Sequence, residues 1–344
     1  MKTTCQASAK LILTGEHSVL NKANALSLSI NIPTYCHAEF IKLNSDQKPY
    51  FEIDLPDCQQ KASIPFLLWQ KMALDIESRY QLFQKNTLSI NTVLKQHIDL
   101  ILLCLYMFNQ QHPIKAGHWQ LQIKGHNLIG RGLGSSASVI LSLLHSLYFQ
   151  HNLNIDESEI IALARTIENR QHGNSSGLDP TSIQKGGMLK FSLATGFEAL
   201  PTENFAAWLI DTGKPESNTG QTVKMVADTF KSSHPIWQDF QKISNQMIEA
   251  WSKQDSQAFK DAIIENQLLL EEIGIVPSRV QQFIKALPKD TATKVCGAGS
   301  VSGQSAGVLI CISDTAPTAL CKQFGYKIQP IEVNLKGPTC EVVK

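Results

Sequence analysis

The chain has 344 residues, 43% of them hydrophobic, enough for one large globular unit or two fused domains with separate cores. Lys and Arg total 31 against 30 Asp and Glu, so bulk charge gives no footing for a polyanion and nucleic acid is not an expected partner. The longest apolar run, Leu100 to Phe108, is too short to span a bilayer, and Gly15-Glu16-His17 comes too early for a signal peptide.

Eight cysteines are spread along the chain with no C-x-x-C pair, and there is no H-E-x-x-H, so zinc is not expected. The spread reads as reduced intracellular thiols and a soluble cytoplasmic protein without a membrane partner. Residues 5–13 are expected to form a strand, and residues 24–40 more strand, broken by Pro33. Residues 93–109 are apolar and long enough for a buried helix, and Trp119 to Ile123 alternate as a strand. A glycine-rich turn, Gly130-Arg-Gly-Leu-Gly-Ser-Ser136, precedes an apolar helix running through Leu147. Asp156, with Glu159 three positions on, marks the start of the next helix. Residues 172–187 read as a polar loop, 206–211 as a strand, 236–287 as helical, and 307–312 as a strand after Gly297-Ala-Gly299. The irregular alternation gives an α+β class. A boundary near 190–205 divides the chain into 1–195 and 196–344.

Four places could carry chemistry. Gly132-Leu-Gly-Ser-Ser-Ala137 stands directly before an apolar helix. Glycines let a ligand approach the backbone, serines supply hydroxyls, and the helix start offers free N–H groups; together these form a phosphate cradle. The plainer reading is a tight turn with a serine N-cap. No G-x-x-x-x-G-K-[ST] occurs, and Ser135 breaks a dinucleotide fingerprint. Glu168 falls near a helix C-terminus, where an anion needs compensation from Arg165 or from a cation such as Mg²⁺. Asp179 lies eleven positions on, in a turn-forming Asp-Pro context. Lys10 interrupts an apolar strand shortly before Glu16 and His17, pointing either to solvent or into a cleft as a fixed charge. Gly297-Ala-Gly-Ser-Val-Ser-Gly303 is a flexible turn, or a backbone that packs on the first glycine loop.

Taken in order, these segments resemble the GHMP kinases (galactokinase, homoserine kinase, mevalonate kinase, phosphomevalonate kinase). Lys10-Leu-Ile-Leu-Thr-Gly-Glu-His17 resembles the first motif of the mevalonate branch, and Gly130 to Ala137 the phosphate loop shared by the family. Glu168 with His172-Gly173, Ser176-Gly177 and Asp179 resembles the segment carrying the metal carboxylate and catalytic aspartate. Lys294-Val-Cys-Gly-Ala-Gly299 resembles the third motif. The resemblance implies a two-lobed fold, with a ribosomal-protein-domain-like N-terminal half, a ferredoxin-like C-terminal half and the active site between them. It implies ATP and Mg²⁺ as cofactors and mevalonate as the acceptor, phosphorylated on its 5-hydroxyl; the alternatives are another small-molecule kinase of the family, acting on phosphomevalonate or galactose, and a binding protein of the same fold without catalysis. Gly130, Gly132, Leu133, Gly134, Ser135, Ser136, Ala137, Gly297 and Gly299 are then expected to hold ATP. Ser136 and Glu168 would hold the metal, and Asp179 would face the acceptor hydroxyl with Lys10 beside it. Glu16, His17, Ser176 and Thr219 would lie toward the acceptor. Homodimers are common in the family, and a homodimer is left open here. Two segments depart from the pattern. Ser300 to Ala306 replaces the usual further glycines, and Glu216 stands where many relatives carry a basic residue.

Overall fold

The computed structural model describes residues 1–125, 130–202, 205–217 and 219–343. The strands are β1 (Lys2–Thr14), β2 (Ala25–Ile41), β3 (Tyr50–Leu55), β4 (Gln60–Pro65), β5 (His118–Lys124), β6 (Met188–Ser192), β7 (Gly196–Leu200), β8 (Ala207–Asp211), β9 (Ala292–Cys296), β10 (Val308–Ile312), β11 (Lys327–Pro330) and β12 (Thr339–Val342). The helices are α1 (Phe66–Gln84), α2 (His97–Gln111), α3 (Ser135–Gln150), α4 (Glu157–His172), α5 (Leu178–Lys185), α6 (Thr219–Thr229), α7 (Ile236–Ser252), α8 (Ser256–Glu272), α9 (Ser278–Lys285) and α10 (Thr318–Phe324). The α+β class expected from the sequence is present.

The first sheet runs β12-β1-β2-β5-β3-β4, with the β6–β7 hairpin joined to the early half of β2. The second is a four-stranded antiparallel sheet in the order β11-β8-β10-β9. The boundary expected at residue 195 cuts the β6–β7 hairpin, both strands of which belong to the first sheet. β12 also returns there from the far end of the chain, pairing Thr339 to Val342 with Gln6 to Thr3.

Strand register explains how the layers join. Register shifts interrupt the β1–β2 ladder between Ala7 and Ala9 and again between Ile12 and Thr14. The early half of β1 contributes Ala7 to a core shared with Trp69, Phe108, Leu144 and Ile167. The later half sends Leu11 and Leu13 into a second core, formed with Met247, Ile263, Val308 and Ile310. β10 alternates strictly, with Val308, Ile310 and Ile312 facing that joining core while Leu309 and Cys311 face a third, under α9 and α10. The joining core therefore fastens β1 to the second sheet, and β1 is the strand that carries Lys10.

Several local readings need correction. The helix expected from residue 93 starts at His97, because Gln96 and Asp99 form a reciprocal cap; the Asp99 carboxylate accepts from the Lys95 and Gln96 N–H groups. The stretch 172–187 contains helix α5. Gly177, at φ 86°, supplies its start, and Pro180 is tolerated because it falls in the first turn, where its missing N–H costs no helical bond. The thiols are not all free: Cys5 and Cys340, opposite each other in β1 and β12, form a disulfide. Sequence spacing could not suggest this pair, since 335 residues separate them. No helix among the described residues is long and apolar enough to cross a membrane.

Candidate active site

The glycine-rich turn delivers the chain to α3 with Gly134 as N-cap at φ 71°. The serine N-cap of the plainer reading is not found. The first N–H groups of the helix, from Ser135 onward, are those a helix leaves without intrahelical partners, and Gly134, directly before them, lies beside Lys10 and Asp179. A Cβ on Gly134 would stand 2.8 Å from Lys10 Cε and 3.3 Å from Asp179 Oδ2.

Lys10 is 2% exposed, so the strand turns this lysine inward. Its ammonium donates to the Gly132 carbonyl at 3.1 Å and pairs with Asp179 at 3.2 Å. Asp179 sits in the first turn of α5, where the helix dipole favours an anion. Its side chain is 28% exposed, so the pair borders accessible space.

Glu168, near the end of α4, is buried. Arg165 does not neutralise it; that guanidinium donates to the Ser175 carbonyl instead. The Glu168 carboxylate accepts from Ser175 Oγ at 2.8 Å and from Ser136 Oγ at 3.5 Å. Ser136 Oγ also lies 3.3 Å from His172 Nε2. Burial, reinforced by the charge of Asp179, pushes the Glu168 carboxyl up to about 8. Burial holds the His172 ring below its ordinary range. A buried carboxylate beside a second one, with a serine hydroxyl in reach, is a hard-oxygen donor set. Such a set suits Mg²⁺, which takes one or two carboxylates and completes its shell with phosphate and water.

The third glycine segment packs on the first. A Cβ on Gly132 would stand 2.5 Å from the Cys296 carbonyl oxygen, and one on Gly297 would stand 2.7 Å from Gly132 Cα. Backbone therefore touches backbone, which a side chain at either position would prevent. Gly299 lies farther along the same loop, whose next residue, Ser300, bonds the Ile275 carbonyl through its N–H. Leu133 and Ala137 are buried, while Gly130 is exposed at the rim.

The residues expected near the acceptor divide. Ser176 Oγ accepts from the Leu178 N–H and so serves the start of α5. Thr219 is the exposed first residue of α6. Glu16 and His17 are both engaged by protein groups. Glu16 is buried in an ion pair with Lys294, and His17 Nε2 lies 3.1 Å from the Ala298 carbonyl. Burial overrides the attraction of Lys294 and raises the Glu16 carboxyl, while it takes the His17 ring down to about 4. The two atypical segments touch each other. Ser217 and Ser300 share a hydroxyl contact of 2.8 Å, and Glu216 leans over Gly303.

Sequence reasoning missed Ser175, His172 as a partner of Ser136, the Arg131–Asp211 ion pair that braces the glycine-rich turn, and Lys294 as a buried cation. The motif His172-Gly-Asn-Ser175 held a signal for the first two. It held none for the others, whose partners are remote in sequence. A cavity of about 110 Å³ opens beside Ser135 and Ser136, lined also by Thr34, Leu55, Asp57 and Ile101.

The family described as GHMP kinases N terminal domain matches residues 99–187, from α2 to the start of β6. A mevalonate kinase of Schizosaccharomyces pombe is 25% identical over 97% of this chain and 90% of its own length. A mevalonate kinase of Pyrococcus furiosus is 25% identical over 92% and 90%. A crystal structure of mevalonate kinase superposes with a TM-score of 0.76 at 18% identity, covering 97% of this chain and 99% of that one.

Proposed function

We propose that the chain is a GHMP kinase, an ATP-dependent small-molecule kinase, that transfers the terminal phosphoryl group of ATP to the 5-hydroxyl of mevalonate. The observation that carries the mechanism is the Lys10–Asp179 pair, 3.2 Å apart, beside Gly134 at the N-terminus of α3, where Ser136 reaches Glu168. Phosphoryl transfer needs in-line positioning and charge neutralisation more than covalent catalysis. The N–H groups at the start of α3 bind phosphate oxygens. The cavity beside Ser135 takes the nucleotide base against Leu55 and Ile101. Asp179 accepts a hydrogen bond from the acceptor hydroxyl and aims it. As that oxygen bonds to the γ-phosphorus and the bond to ADP breaks, the hydroxyl proton passes to the Asp179 carboxylate. Lys10 stabilises charge on the transferred group and holds Asp179 at the Gly132 end of the loop. Glu168 and Ser136 would hold Mg²⁺, which when bound neutralises phosphate charge. Gly130 to Ala137, with Gly297 and Gly299 behind them, form the nucleotide cradle.

The acceptor rests on the relatives at about 25% identity along nearly the whole chain. The test is ADP release from Mg-ATP with mevalonate, phosphomevalonate, galactose and homoserine as acceptors. Mevalonate alone is expected to stimulate turnover. Asp179→Asn should lower kcat by about 10²–10⁴-fold while ATP binding survives. Stimulation by another acceptor would move the assignment within the family. An active Asp179→Asn variant would overturn the mechanism.

A further inference from the structure

We propose that Glu16, His17 and Lys294 are positioning residues that fix the third glycine loop against the phosphate loop, and that Glu16 is not a ligand of the acceptor. The inference rests on the kinase reading given above. Its starting point is burial. The side chains of Glu16 and Lys294 are 1% and 0% exposed, although the two residues lie 278 positions apart in sequence. One Glu16 oxygen is taken by the Lys294 ammonium. The other is closed to solvent and has no hydrogen-bond partner among the described residues. A ligand could reach that carboxylate only by displacing protein. The Lys294 ammonium is engaged as well, donating to the Ile12 carbonyl at 3.3 Å and to the Val295 carbonyl at 2.7 Å.

The contacts close a ring. β1 carries Lys10, and the turn after it carries Glu16. Lys10 holds the Gly132 carbonyl, and Gly132 rests on Cys296 and Gly297. Two residues before Cys296, Lys294 returns to Glu16 and to Ile12 in β1. His17 adds a second tie, to Ala298 at the crest of the third loop. Three segments that are remote in sequence, β1 with its turn, the phosphate loop and the third loop, are thus held at fixed mutual distance. A charged pair carries out the closure because it is directional. A lysine bonded to two carbonyls and one carboxylate fixes the start of the loop in a way that apolar contact would not.

The role separates cleanly from substrate contact. A buried pair that loses one partner leaves an uncompensated charge and destabilises strongly, whereas removal of both charges is tolerated. The test therefore compares Glu16→Gln, Lys294→Met and the double variant by thermal melting, steady-state kinetics and calorimetric binding of a non-hydrolysable ATP analogue. The double variant is expected to melt closer to wild type than Lys294→Met does. Its kcat should fall by about ten- to a hundredfold and its affinity for the ATP analogue should weaken, because loop misplacement disturbs the phosphate side. Acceptor KM should stay within about threefold of wild type, the mark of lost positioning rather than lost acceptor binding. Lys294→Arg, which keeps charge and donors, should recover more of kcat than Lys294→Met. The proposal is overturned if Glu16→Gln raises acceptor KM by about tenfold or more with nucleotide affinity unchanged. It is also overturned if the double variant matches wild type in both kcat and nucleotide affinity. A wild-type chain that binds the ATP analogue without turning over mevalonate would refute the acceptor assigned above. Nucleotide affinity would still decide this proposal, since that readout needs no acceptor.

Discussion

Replacing Lys10 by Met should separate catalysis from stability more sharply than any other single change at this site. The side chain is 2% exposed, and methionine fills a similar volume without an ammonium that must be desolvated. The loss is one ion pair at 3.2 Å and one hydrogen bond at 3.1 Å. Breaking a fully buried pair costs about 3–5 kcal/mol through the charge left behind. Asp179, however, is 28% exposed and sits at the start of α5, so water and the helix dipole compensate it. Folding stability should therefore fall by only about 1–2 kcal/mol. The transition state loses a preorganised charge aimed at the transferred group, an effect of about 10²–10³ in kcat, or about 2.7–4 kcal/mol. Coupled ADP-release kinetics and a thermal melt on one preparation measure both numbers. A kcat within about threefold of wild type would refute the role of Lys10. So would an activity loss fully accounted for by unfolding at the assay temperature.

Glu168→Gln should weaken Mg²⁺-dependent ATP binding by about an order of magnitude or more, measured by calorimetric titration at saturating and limiting Mg²⁺. Ser175→Ala, which removes the 2.8 Å bond to Glu168, should show a smaller loss in the same titration with the fold intact. The His17 ring, taken by burial from 6.5 to about 4, binds fewer protons in the folded chain than in the unfolded one. Stability should accordingly be lost as pH falls from about 6.5 through 4, by on the order of 3 kcal/mol, and His17→Asn should flatten that slope in acid denaturation. Reduction of the Cys5–Cys340 disulfide, or Cys340→Ser, should lower stability by about 2–4 kcal/mol, read from urea midpoints with and without a dithiol.

The parts of the site that the sequence disclosed share one property. Gly132 to Ala137 and Glu168 to Asp179 pack their signals into six and twelve consecutive residues, where spacing alone implies turn, helix start and carboxylate. What stayed hidden depends on partners that meet only in the folded chain. Lys294 reads as an ordinary lysine before a glycine turn until Glu16 arrives beside it, and nothing near Glu16 in sequence announces that partner. Arg131 likewise finds Asp211 in the second sheet, in a strand whose pairing partners are themselves remote. α1 is a different kind of omission. Trp69, Ala73, Ile76 and Tyr80 do recur at helical spacing, but the exposed Leu67, Leu68, Leu74 and Leu82 blur the apolar stripe. The α+β class survives such gaps, because it needs only that strands and helices both occur. The two sheet orders require pairings that no local pattern states.

The pairing of β12 with β1 carries a consequence for how the molecule is made. A strand that contributes residue 3 to the first sheet acquires its outer neighbour only when residue 342 has been synthesised. On the ribosome, the edge of β1 is exposed, and Cys5 is a lone thiol, until the residues that separate it from β12 have been made. Nascent chains of this protein should therefore engage holding factors at that edge and release them in one late step. Deleting Thr339 to Val342 should prolong that engagement, even though every residue of the candidate site precedes them in the chain.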